Sequence, residues 1–163
     1  GAASTAASVW NSAIPTSTVF SIGTDGGVNT SGQTYIAYVW GEVPGFSAFG
    51  RYYGNNNDNG PYVYTGFKPA FLLIRQTNDT GQWRIYDTLR ESYGQKDLLK
   101  YLAAESTAAE VTTTDGGLDI LSNGFKVRSS GGNHDLNGNS DPYSYMAFGQ
   151  SIVGSNNVPC TAR

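Results

Sequence analysis

The sequence predicts an all-β sandwich of the jelly-roll kind, and three observations carry that expectation. Only 14 % of the 163 residues are charged, while Gly, Ser, Thr, Asn and Tyr abound; this suits a turn-rich β protein whose surface is polar through amides and hydroxyls. The apolar runs are short and bounded by turn residues. Two segments are complete hairpins, with both arms and the turn legible. A chain of this length buries a proper core without staples and is expected to form one domain.

The first hairpin, residues 65–88, organises the rest. Phe71-Leu72-Leu73-Ile74 is an apolar run of strand length, and Pro69 stands where a strand can start without an N–H. Residues 77–81 (TNDTG) form the turn, since Asn and Asp bond their own backbone and Gly81 accepts positive φ. The return arm alternates, Trp83 and Ile85 on one face, Gln82, Arg84 and Tyr86 on the other. Polarity assigns the Trp83 face, with Phe71 and Leu73, to the core.

Taken in order, residues 1–8 are small and polar, an extended arm or loop. Residues 9–11 and 18–22 read as strands either side of a Pro15 turn, and 23–32 as a Gly/Asn/Asp loop. Residues 35–40 (YIAYVW) have high β-propensity and read as a strand. Residues 46–53 follow as a strand with Phe49 inward, 54–61 as an exposed Asn-rich loop, and 62–64 as a return into the sheet. Leu98, Leu99, Leu102 and Ala103 sit at helical spacing, so periodicity predicts a short helix near residues 96–104. The second hairpin joins 118–121 to 124–128 through an Asn-Gly turn, and residues 158–163 form a short tail.

Tyr35-Ile36-Ala37-Tyr38 echoes Tyr145-Met146-Ala147-Phe148, each after a polar loop and an earlier strand candidate. The echo predicts an internal duplication, with 1–45 the remainder of a first repeat and 46–163 the second. Because the first copy lacks the hairpin of the second, the chain is expected to be the C-terminal part of a longer polypeptide. Two strands that are alike merely as strands are the alternative.

Composition also bounds function. A net charge of −3 argues against non-specific nucleic-acid binding, which needs a basic stripe, and no apolar run approaches a membrane span. A single cysteine, Cys160, excludes an intrachain disulfide, fits assembly in a reducing cytoplasm and reads as an inert thiol.

The ordered series AYVWGEVPGFSAFGRYYGN, GPYVYTGFKPAFLLIRQTNDTGQWRIYDTLRESY, LDILSNGFKVRSS and SYMAF resembles a family of phage virion domains. These are the concanavalin-A-like (laminin-G-like) sandwich domains of tail-fibre and related structural proteins in marine and freshwater phages, cyanophages included. The resemblance covers nearly the whole chain. It implies a virion surface protein, assembled in the host cytoplasm, that packs against other virion subunits, with a trimer as the fibre-like guess. It also implies a role in host attachment through surface polysaccharide, and it supplies no catalytic residues. The family's domain begins with a further GF-x-P hairpin, in keeping with a longer polypeptide. Many of its members have a strand where this chain reads Leu99 to Glu105, which leaves helix or strand open there.

Chemistry-bearing residues are few. His134-Asp135 is the one place where a His adjoins a carboxylate, but it lies in a polar loop and nothing resembles a nucleophile elbow. Asp87 and Glu91 are the carboxylates nearest the Trp83 arm; glycoside cleavage needs such a pair across a groove, and turn-capping and solvated roles suit them better. Asn55 to Asn59 offer oxygens of the type calcium prefers, yet Asp58 is the sole charged ligand among them, and Asp25 and Asp115 belong to Gly turns; no metal or other cofactor is expected. No phosphate loop, dinucleotide fingerprint or zinc spacing occurs. The remaining candidate is a sugar-binding edge: Tyr52, Tyr53, Tyr62 and Tyr64 flanking Asn55, Asn56, Asn57 and Asp58, with Trp40 nearby. Tyr faces stack on sugar C–H surfaces, and amides both donate to and accept from hydroxyls. Cross-strand aromatic pairing and a subunit interface are the competing readings for those tyrosines. The expectation is a non-enzymatic attachment and packing module; a glycan depolymerase and a non-viral lectin-like filament subunit are the alternatives.

Overall fold

The computed structural model of the chain describes residues 6–90, 97–113, 117–129 and 134–150. The described residues up to Trp40 and those from Gly41 onward form separate compact units. In the larger unit, β1 (Ser47–Tyr53), β3 (Pro69–Gln76), β4 (Arg84–Asp87), β6 (Lys100–Ala103), β7 (Val111–Thr112) and β10 (Pro142–Gly149) build one antiparallel sheet, ordered β1-β10-β3-β4-β6-β7. A second sheet is ordered β2-β9-β8-β5, from β2 (Tyr62–Tyr64), β5 (Asp97–Leu98), β8 (Leu118–Leu121) and β9 (Gly124–Val127). The fold is an all-β sandwich, as the composition predicts.

The core lies between the inner faces. Tyr52, Leu72, Ile74, Tyr86, Tyr101, Tyr143, Tyr145 and Ala147 come from the six-stranded sheet, and Val63, Leu118, Phe125 and Val127 from the other. Phe125 joins them, edge-on to both Tyr52 and Tyr145 at 6.0 and 5.5 Å between ring centroids.

Both hairpins form where expected, although the turn of the second is Ser122-Asn123 and Gly124 already opens β9. The expected core nucleus is reversed. Leu72, Ile74 and Tyr86 face inward and are buried, whereas Phe71, Leu73 and Ile85 are only half-buried and Trp83 is exposed. Alternation separates two faces of a strand without saying which meets the core. Here Arg84 misleads: it is buried on the inner face with its guanidinium 4.2 Å above the Tyr101 ring. Phe49 likewise points away from the core and meets the Phe148 ring edge-on.

The helix expected near 96–104 is replaced by β5 and β6. Lys100↔Thr112 pairing on one side and Ile85↔Leu102 on the other give this segment ladder partners, and Tyr101 alternates into the core. Tertiary pairing overrides the local period.

In the smaller unit, no strand occurs among the described residues, so the strands expected at 9–11, 18–22 and 35–40 are absent. Residues 9 and 10 belong instead to a single helical turn, α1 (Ala7–Trp10), and the 23–32 loop contains another, α2 (Gly26–Asn29), capped by the Asp25 carboxylate. Tyr35 uses its hydroxyl locally, donating to the Gly26 carbonyl and accepting from the Thr30 N–H, both at 2.9 Å. Tyr145 to Phe148 lie in β10, a strand paired on both sides, so their likeness to residues 35–38 stops at residue type and the predicted repeat does not appear in the described structure. Propensity without a ladder partner does not make a strand.

Candidate functional site

The outer face of the four-stranded sheet carries the most suggestive arrangement. In β2, Val63 points into the core, so Tyr62 and Tyr64 project from the opposite face, 45 % and 66 % exposed. Residues two apart on a strand stand roughly 6.6 Å apart, a pair of adjacent aromatic platforms. Each ring lies beside a glycine. A Cβ at Gly124 would stand 3.2 Å from Tyr62 Cε2 and would collide with the Val63 carbonyl, so glycine alone lets the ring lie close to β9. Tyr64 rests beside Gly66, which has φ +83°. The Tyr62 hydroxyl donates to Asn123 Oδ1 at 2.9 Å, which fixes the ring.

Polar groups continue the face. Tyr62 pairs with Lys126, and Lys126 with Asp119, across successive strands. Lys126 Nζ donates to the Gly60 carbonyl at 3.0 Å, and Arg128 Nε to Asp119 Oδ2 at 2.6 Å. Two stacking rings, an amide, an ammonium and an ion pair thus share one surface.

The Asn-rich loop beside it is built from within. Asn137, buried at the end of α3 (His134–Asn137), accepts from Asn55 N at 2.8 Å. Its Nδ2 donates to Asn55 Oδ1, the Asn57 carbonyl and the Ser129 carbonyl at 3.1, 2.9 and 2.7 Å. Asn55 Oδ1 also accepts from Asn57 N, and Asn57 Oδ1 from Asn59 N. Asn55 and Asn57 therefore shape the loop, while Asn56 takes φ 51° at its bend and Asp58 is exposed. The amide oxygens best placed for a cation are already engaged, and no group of three His, Cys, Asp or Glu that could hold a metal occurs among the described residues.

The predicted tyrosine set divides. Tyr52 is not a surface residue: it is 6 % exposed, stacks on Tyr143 at 5.0 Å and donates its hydroxyl to the Leu136 carbonyl at 2.9 Å. Burial, reinforced by Tyr143 and Tyr86, pushes its phenol well above the ordinary tyrosine range. Strand alternation puts it on the opposite face from its neighbour Tyr53, and its stacking on Tyr143 makes that the core face. Tyr53 is exposed, but on the outer face of the six-stranded sheet, turned away from Tyr62 and Tyr64.

Asp87 proves to be a turn residue. Its Oδ1 accepts from the N–H groups of Leu89 and Arg90, and its Oδ2 meets Arg90 Nε. Burial raises its pKa, but the Arg90 side chain and these two N–H groups outweigh it, so the carboxyl titrates below the usual aspartate value. Glu91, Asp115 and Cys160 lie outside the described residues, as do the side chains of His134 and Asp135. Sequence reading missed Asn123, Lys126 and Asp119. Their link to Tyr62 depends on β2 pairing with β9, some sixty positions away, and no local signal announces it.

A family match spans residues 1–151 and so takes in every residue of this face. The chain belongs to the DUF7483 family, a domain of unknown function. No curated protein and no solved structure matches it. On this DUF7483 domain the Tyr62–Tyr64 face can stack on flat, partly apolar rings and hydrogen-bond to hydroxyls beside them.

Proposed function

We propose that this domain is a non-enzymatic glycan-binding module that serves attachment from the surface of a phage virion. The observation that carries the binding role is the Tyr62–Tyr64 pair, exposed side by side over glycines with Asn123 and Lys126 next to them. The virion setting rests on the resemblance in sequence. The site proposed from sequence is thereby narrowed: Tyr62 and Tyr64 are the stacking platforms, Asn123 and Lys126 join them, and Asn55 and Asn57 hold the neighbouring loop in shape.

The test is to incubate the purified chain with a panel of bacterial surface polysaccharides and follow binding and new reducing ends in the same tubes. Binding without cleavage is expected. Tyr62→Ala and Tyr64→Ala should each weaken it roughly tenfold, the worth of about 1.4 kcal/mol of stacking, with little change in Tm. New reducing ends would overturn the non-enzymatic reading. Binding that survives both substitutions would move the site elsewhere, and silence across a broad panel would remove the attachment role.

A further inference from the structure

The face that carries Tyr62 and Tyr64 also carries positive charge. Phe125 and Val127 point into the core, so Lys126 and, one residue past β9, Arg128 project outward. Tyr64 lies opposite Gly124 and Tyr62 opposite Lys126; one step further in the same register sets Arg128 level with Gly60. Along β2 the surface therefore reads ring, ring, glycine, and along β9 glycine, ammonium, guanidinium, over roughly 13 Å. Lys126 Nζ gives one N–H to the Gly60 carbonyl at 3.0 Å. Arg128 gives Nε to Asp119 Oδ2, and its side chain stays 40 % exposed while that of Asp119 is only 18 % exposed. Two cations thus stand against a single, more deeply set carboxylate. Asp97, opposite Asp119 on β5, is two strand spacings from Lys126, roughly 10 Å. The chain as a whole carries −3, so this cationic strip is local to the face that holds the stacking rings.

We propose that the ligand of this face is an acidic polysaccharide of uronic-acid type, an inference that rests on the glycan-binding reading above. A uronate carries its carboxylate on a ring carbon, so the charge stays at the edge of the same ring that stacks on tyrosine. With a sugar on Tyr62, that edge reaches to the side by one strand spacing, about 4.8 Å, where Lys126 stands. The next unit along the strand direction brings its carboxylate to Arg128, whose planar fork of terminal nitrogens takes a carboxylate bidentately. Asp119 holds the guanidinium through Nε, so the fork is ordered before the ligand arrives. A neutral sugar gains the stacking alone and leaves both cations to water.

Calorimetric titration of the purified chain tests this, with polygalacturonate, alginate and hyaluronate each set beside its carboxyl-reduced, neutral form, and with dextran sulfate as a polyanion that lacks ring carboxylates. At least one uronate polymer should bind roughly tenfold more tightly than its reduced form in about 50 mM NaCl, and the advantage should shrink in about 500 mM. Tyr62→Ala should weaken both forms. Lys126→Gln and Arg128→Gln should weaken the acidic form alone, each roughly three- to fivefold. Arg128→Gln, at the exposed end of the strip, is the deciding variant where Lys126→Gln loosens the loop at Gly60. Equal binding of acidic and reduced forms overturns the proposal and leaves the glycan-binding reading standing; so does binding confined to neutral polysaccharides. Dextran sulfate bound as tightly as the uronates and indifferent to Tyr62→Ala overturns it in favour of general attraction to polyanions. A folded Arg128→Gln chain that keeps the full preference for the acidic form overturns it too, and silence on every polymer overturns both readings.

Discussion

Asn137 shows how much one residue can organise. Its amide reaches three carbonyl or amide oxygens and accepts one N–H, linking the 54–60 loop to the segment before α3. Replacing it by Ala leaves the buried Ser129 carbonyl without its donor, at about 1–3 kcal/mol, and removes three half-buried bonds to Asn55 and Asn57. Asn137→Ala should therefore lower unfolding stability by about 2–4 kcal/mol in a urea titration. A loss below about 1 kcal/mol would mean that the loop holds its shape by other means. Nothing in the sequence distinguishes this Asn from its neighbours. By contrast, the Asn and Gly richness of residues 54–60 is enough to read a loop there. The fates of Tyr52 and Tyr53 were half legible: alternation requires that they part, but only the pairing of Tyr52 with Tyr143 shows which one enters the core.

The β3–β4 hairpin was the clearest element in the sequence, and its orientation was the clearest misreading. A run of four apolar residues, Phe71 to Ile74, suits either face equally, and by polarity alone Arg84 on the return arm marks the wet one. The structure inverts this by giving Arg84 an aromatic partner in Tyr101. The consequence is measurable. Leu72→Ala should cost about 2–5 kcal/mol, the range for buried large-to-small changes, whereas Leu73→Ala, at a half-buried position, should cost about 1 kcal/mol or less. Equal losses at the two positions would mean that both faces are packed within one chain. The β5–β6 segment carries a related lesson. Leucines at helical spacing did not make a helix, because the edge of β4 and the strand β7 offered ladder partners.

At the scale of the molecule, three titrations bear on the pH range of stability, Asp87 on the acid side and Tyr52 with Tyr145, both raised first of all by burial, on the alkaline side. Asp87 has a lowered folded pKa, so its contribution is present above the unfolded value of about 3.9 and is lost as pH falls through the lower folded value. Tyr52 has a raised folded pKa, so its contribution is complete below the unfolded value of about 10 and is lost as pH climbs above it, where the unfolded chain ionises first. Tm should hold a plateau between about pH 5 and pH 9 and fall on either side. Asp87→Asn should make the acid limb shallower, and Tyr52→Phe should do the same to the alkaline limb, which Tyr145 shares; a slope unchanged by its substitution would assign that limb to another group.

The sequence by itself determined the β class, both hairpins and the loop at 54–61. These follow from short-range chemistry: turn residues, alternation and composition act within a few positions. Only the tertiary structure decided which face of each strand is buried, that residues 97–103 are strands, that 35–40 is not one, and that Tyr62 shares a surface with Asn123 and Lys126. Each of those depends on a partner strand distant in sequence, and the energy of a β-sheet lies in its pairing and packing more than in the intrinsic preference of any single strand.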